Sequence, residues 1–159
     1  MHIRTNGAFK MIDVFEDKYA FLSNFYEFPI EFEGITYPTN EHFFQAMKTF
    51  SIDERKAIAS KETPGQAKRM GRHVQLRPDW EEIKADVMLI GLRLKFKGTA
   101  LEPLLLATGT EWLKEGNWWH DNTWGDCSCD RCIHINGKNL LGRLLMQVRA
   151  EIHSEEADK

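Results

Sequence analysis

No stretch of the 159-residue chain is rich in proline, glycine or serine, none is of low complexity, and no segment repeats. A string of tethered modules is therefore excluded, and one domain of ordinary size is expected. No apolar run approaches the ~20 residues needed to span a bilayer. The opening MHIRTNGAFKMIDVF lacks the charged-then-apolar layout of a secretory leader, so a cytoplasmic protein without membrane association is expected. Cysteine is scarce: three residues, all between Cys127 and Cys132. An odd and crowded set cannot staple a fold, which suits a reducing compartment. Charge of one sign is also lacking, because a net charge of −3 is too small for a general binder of nucleic acid or membrane surface.

What is present divides by period. The first forty residues read as short strands, KMIDVF and then FPIEFEGITY, where Glu33-Gly34 separates two alternating runs as a hairpin turn does. After Pro38-Thr39 the spacing becomes helical: Phe43, Ala46, Met47 and Phe50 recur on one face, with Thr39 as N-cap. Further helices are predicted over 53–60 and 64–72, the latter with Thr63 as cap and Pro64 at the first position. Asp79 opens the longest predicted helix, whose apolar face is Trp80, Ile83, Val87, Ile90 and Leu94. A short helix follows over 101–107. A last one starts at Asn139 and buries Leu141, Leu144, Leu145, Val148 and Ile152. The expected class is α+β: one mainly helical domain over residues 1–153, with a small antiparallel sheet near its N-terminus and a short polar tail over 154–159.

Glu41 is the first candidate for chemistry. A carboxylate in a first helical turn is often only a dipole partner, but Gln45 and Lys48 share its face within an aromatic-rich segment. His42 points elsewhere and is read as structural. The interval from Arg55 to Arg77 holds seven basic residues against one acidic, either a solvated helix face or a cradle for phosphate that would use Lys68 and Arg72. In GKNLLGR, Lys138, Asn139 and the free N–H groups of the new helix form a second, weaker candidate for an anion. Trp80 reads more readily as core than as binding surface, whereas Trp124, in the turn-like DNTWGD, suits stacking on a flat ligand.

The segment from Asn117 to Cys132, NWWHDNTWGDCSCDRC, concentrates three tryptophans, His120 and all the cysteines. Zinc on three thiolates and one histidine is chemically sufficient. The usual zinc hairpin has two separated pairs, however, and this is one compact set, so free thiols in a polar loop are preferred and no metal or other cofactor is assigned. Nothing nearby would activate a cysteine nucleophile.

Together FLSNFYEFPIEFEGITYPTNEHFFQAMK, RPDWEEIKADVM, LRLKF, LLLATGTEWL, DNTWGD and GKNLLGRLLMQVR, in this order from Phe21 to Arg149, resemble the NADAR family. The resemblance implies an α+β domain that binds ribose phosphate or ADP-ribose and hydrolyses an N-glycosidic bond. Its small-molecule substrates would be ribosylamino-pyrimidine phosphates of early riboflavin synthesis. The alternatives are ADP-ribose attached to guanine bases, with ADP-ribosylated DNA as partner, or a module that only binds NAD or ADP-ribose. Carried over motif by motif, Glu41 is the essential carboxylate and Asp121 or Asp126 the second acid. Trp80 and Trp124 line the pocket, Asn24 and Phe25 contact sugar or base, and Asn139 caps the last helix beside the phosphate. The insertion DCSCDRCIHIN departs from the family's shorter glycine-rich turn.

Overall fold

A two-residue turn organises the N-terminal part of the computed structural model, which describes residues 10–159. Strands β2 (Glu27–Phe32) and β3 (Ile35–Thr39) pair antiparallel with Phe32 opposite Ile35. Glu33 and Gly34 between them both have positive φ, 49° and 80°. That is the mirror-image turn whose twist matches a hairpin, and Gly34 adopts it without a Cβ penalty. The register slips between Glu27 and Ile30, where Pro29 cannot supply a ladder N–H.

Strand β3 runs directly into helix α1 (Asn40–Ala46). Thr39 ends the extended backbone and accepts the N–H of His42 at 3.2 Å, so one residue both closes the strand and caps the helix. Helix α2 (Ile52–Ala59) is capped by Ser51, and α3 (Pro64–Gly71) by a reciprocal box between Thr63 and Gln66. Helix α4 (Trp80–Phe96), the short α5 (Glu102–Ala107) and α6 (Leu140–Ala157) complete the helical part.

Helix α4 packs against α6, and Leu92, Phe96, Leu141, Leu145, Val148 and Ile152 on the two helices are all buried. Each such side chain contributes about 1.5–3 kcal/mol. At the rim Arg93 and Lys97 pair with Glu151, and Lys97 also with Glu155, at 2.6–3.0 Å. The α4 stripe differs from expectation: Ile90 and Leu94 are exposed and Gly91 and Lys95 are buried. Gly91 is the reason, because a Cβ there would strike Asn40 and Phe43 of α1, so the closest approach of two helices sets the buried face. The longest helix is α6, with 18 residues. It continues beyond Ser154, where the sequence suggested a tail, and Glu155 is held by Lys97.

Three further pieces escape period analysis. Residues Asp17–Leu22 form a 3₁₀ helix. Strand β1 (Met11–Ile12) pairs in parallel with β4 (Trp112–Leu113), and β5 (Gly116–Asn117) with β6 (Asp126–Cys127). Two residues carry no readable alternation. The class is α+β. Among the described residues no helix is long and apolar enough to cross a membrane.

Candidate active site

The 15–25 segment ahead of the hairpin, α1, Lys68 of α3, the first half of α4 and the 115–124 segment enclose a cavity of about 790 Å³. Glu41 enters from the first turn of α1, where its backbone N–H donates to the carbonyl of Asn24 at 3.1 Å. Gln45, one turn on, donates from Nε2 to Glu41 Oε1 at 2.8 Å. Burial raises the Glu41 pKa, while Gln45 and the charges of Lys68 and Lys48 oppose the shift and Asp121 adds to it. His42 is structural: buried, it meets Thr39 through Nδ1 at 2.7 Å and the Lys61 carbonyl through Nε2 at 2.9 Å.

The wall opposite brings a carboxyl group that sequence reasoning missed. Glu115, between β4 and β5, lines the cavity together with Glu41 and Asp121. Its Oε2 is buried with no hydrogen-bond partner among the described residues. Burial, reinforced by the charges of Asp121 and Glu41, pushes its pKa up to about 8. At neutral pH it is therefore a carboxylic acid, held beside two other acidic side chains. In KEGNWW nothing marks Glu115 in sequence, since a single Glu between Lys114 and Gly116 reads as a turn.

Three of the aromatic rings that line the cavity stand in a row: Phe44 lies between Trp80 and Trp124, at centroid distances of 5.0 and 5.2 Å. Trp80 is 5% exposed and belongs to both core and wall. Phe25 stands exposed at the rim. Asn24 lines the cavity too, but its Oδ1 accepts from Asn40 at 2.8 Å and its Nδ2 faces Met88 Sδ. Next to it, Ser23 O accepts from Nζ of Lys95, which is fully buried and whose pKa burial lowers to about 7. Of the basic residues, Lys48, Lys68 and Lys84 reach the cavity.

The other expected site residues lie elsewhere. Arg72, the C-cap of α3, is exposed and off the cavity wall, because the helix ends there with its side chain toward solvent. Asp126 turns away to accept the Gly137 N–H at 3.0 Å and to pair with Lys114 at 3.2 Å, which leaves Asp121 as the aspartate facing the cavity. Asn139 does not cap α6: its backbone is left-handed, φ 51°, and its side chain makes no cap bond. Instead its Oδ1 accepts the Glu115 N–H at 3.0 Å and its Nδ2 donates to Leu113 O at 2.9 Å. Nor are the first N–H groups of α6 free for an anion. Those of Leu140 and Leu141 donate to the carbonyls of Thr123 and Trp124, and those of Lys138 and Asn139 just ahead of the helix to Asn122 and Gly125. The helix start thus bolts down the loop that carries Asp121 and Trp124, whose own turn is closed by Asp121 Oδ1 accepting the N–H groups of Thr123 and Trp124.

The cavity thus combines four carboxyl groups (Glu16, Glu41, Glu115 and Asp121), three lysines and an aromatic wall. The NADAR domain model matches residues 11–153. The chain belongs to the NADAR family. It is 42% identical over 143 residues to the N-glycosidase YbiA of Escherichia coli, covering 88% of this chain and 86% of that one. It is 37% identical over 140 residues to the riboflavin biosynthesis protein VVA0006 of Vibrio vulnificus, covering 86% of this chain but 36% of that one. The NMR structure of the E. coli YbiA protein superposes with a TM-score of 0.78 at 36% identity, covering all of this chain and 97% of the other. As a NADAR protein related to N-glycosidases over nearly its whole length, the chain is a hydrolase of N-glycosyl bonds.

Proposed function

We propose that the protein hydrolyses the N-glycosidic bond of ribosylamino-pyrimidine phosphates, early intermediates of riboflavin synthesis. The observation that carries the reaction is two buried carboxyl groups in one cavity with different partners: Glu41 accepts from Gln45 and lies near Lys48 and Lys68, whereas Glu115 Oε2 has no hydrogen-bond partner among the described residues and burial pushes its pKa up to about 8. Cleavage of a ribosyl C–N bond builds positive charge on the sugar and negative charge on the departing nitrogen. Glu41 faces the first, stabilising the oxocarbenium-like sugar and taking a proton from the attacking water. Glu115 meets the second by giving its proton to the leaving base. The water oxygen bonds to the anomeric carbon as the C–N pair leaves with the base, so one proton enters Glu41 as one leaves Glu115.

Asp121, first read as the second acid, has one oxygen engaged by two backbone N–H groups. Its part is to keep Glu115 protonated by its charge and to hold the loop. Trp124 stacks on the base, with Trp80 and Phe44 behind it. Asn24 and Phe25 border the sugar. Lys68, with Lys48, receives the phosphate. A cytoplasmic location suits three cysteines that form no disulfide.

The substrate class is supported by the riboflavin biosynthesis name of the Vibrio relative. A cavity of about 790 Å³ also has room for an ADP-ribosyl group on guanine, as in ADP-ribosylated DNA. The two are separated by offering each to the wild type and to Glu41→Gln and following base release chromatographically. Release of pyrimidine by the wild type alone is the expected result. Release of guanine alone would replace the substrate, and tight binding of ADP-ribose without release of any base would replace catalysis by a binding role.

A further inference from the structure

The NADAR chemistry leaves the insertion DCSCDRC without a task, yet its side chains converge. A ring nitrogen of His120 and the sulfurs of Cys127, Cys129 and Cys132 all lie within 4.8 Å of one another. Nδ1 is 3.1 Å from Cys129 Sγ and 3.6 Å from Cys132 Sγ. Tetrahedral zinc with bonds of about 2.3 Å to sulfur and about 2.0 Å to nitrogen spaces its ligands roughly 3.5–3.8 Å apart. The four groups are therefore gathered around one ion's volume. Three thiols held this close without a disulfide, two of them buried, suit a soft-ligand metal better than a solvated loop.

The backbone supplies an independent observation. His120 is held at φ 70°, a left-handed conformation that a side chain with a Cβ rarely adopts. That turn delivers its ring to the sulfurs and directs its backbone N–H to Cys127 Sγ at 3.3 Å, the donor that a metal-bound thiolate calls for.

We propose that Cys127, Cys129, Cys132 and His120 Nδ1 bind one structural zinc ion, and that this ion fixes the 117–126 wall of the cavity. Four protein ligands leave no open coordination position, so the ion takes no part in bond cleavage. Its place explains its use. His120 lies between Trp119 and Asp121, which both line the cavity, and α6 bolts the 122–125 segment from the other side. The metal closes the remaining free end of that loop. Arg131, against Nε2 of the same ring, is exposed and turns toward solvent when Nε2 carries the proton that Nδ1 ligation requires. Its charge then offsets the net negative charge of zinc with three thiolates. The proposal holds whichever ribosylated base is the substrate.

Elemental analysis of protein purified without chelators is expected to find one zinc per chain, and less than about half an equivalent in Cys129→Ser and in Cys132→Ser. Cobalt added to chelator-treated protein is expected to give the visible and near-ultraviolet bands of a tetrahedral thiolate site, saturating at one equivalent. Zinc below half an equivalent in the wild type together with no such bands would overturn the site, as would iron in its place. Hydrogen exchange tests the role in the wall: metal removal is expected to speed amide exchange in 117–132 by about tenfold or more while α4 and α6 stay protected. Unchanged exchange there would overturn that role, and none of the three readouts depends on turnover.

Discussion

Gln45 donates to Glu41 Oε1 at 2.8 Å across one turn of α1, and Gly71 makes this possible. A Cβ at Gly71 would collide with the Gln45 side chain, so α3 packs at the one distance that leaves Gln45 its rotamer. The carboxylate is thereby aimed from two elements, its own helix and the neighbour that confines its partner.

Glu41→Gln keeps the shape and removes the charge. Turnover is expected to fall at least ~10³-fold with substrate affinity within about tenfold, the pattern of an interaction made mainly in the transition state. Single-turnover kinetics and calorimetric binding measure the two separately. Near-normal turnover would sink the assignment of Glu41.

The pH profile reads Glu115. Its proton is lost as the pH passes about 8, so turnover is expected to fall above that value by up to about tenfold per unit. Glu115→Gln should turn over ~10²-fold more slowly or worse and show no alkaline limb of this origin. A limb that survives unchanged in the variant would move the proton donor to another group.

The same proton bears on stability. Unfolded, Glu115 ionises near its ordinary 4.5; folded, near 8. Between these values the folded state binds the additional proton, so stability declines as pH rises, by up to about 1.4 kcal/mol per unit. Lys95, buried with a pKa near 7 against an ordinary 10.5, acts in the opposite sense from about pH 7 upward. Glu41, raised by burial, and His42, lowered by burial, are present in both proteins, so the difference between them isolates Glu115: between pH 5 and 7 denaturant titrations should show the wild type losing stability relative to Glu115→Gln. Parallel curves would mean that Glu115 is ionised throughout.

The hairpin, the capped helices and the place of Glu41 in a first helical turn were legible because each rests on local rules: two positive-φ residues between alternating runs, and Thr39 or Thr63 ahead of a helical period. Glu115 was not, because its pKa comes from Asp121 and Glu41, which the fold brings to it from elsewhere. The α4 stripe was misassigned for a related reason. Ile90 and Leu94 fit an apolar period as well as Met88 and Leu92 do, and only Gly91, where α1 approaches, chooses between them. Asn139 shows the limit in its plainest form, since a residue just before a helix reads as its cap whether its side chain turns inward or, as here, back to another strand.

Asn139 is the positioning residue for Glu115, and its variants separate conformation from contact. Asn139→Gly tolerates the left-handed backbone but loses both side-chain bonds; Asn139→Ala adds the strain of a Cβ at φ 51°. Leaving Leu113 O and Glu115 N–H unpaired costs about 1–3 kcal/mol, and the strain in the alanine variant about 1 kcal/mol more. Each kcal/mol lowers Tm by about 2–4 °C in a chain of this size. A residue important only for folding would lower Tm and leave the pH profile alone. Here the alkaline limb is expected to move as well, toward lower pH, because a loosened Glu115 backbone admits water to the carboxyl group and weakens the burial that keeps it protonated. In Asn139→Asp the acceptor for Glu115 N–H remains while the donor to Leu113 is lost and a negative charge is added near Glu115, so the limb should not move toward lower pH even though Tm falls. A limb unmoved in the glycine and alanine variants would confine Asn139 to folding.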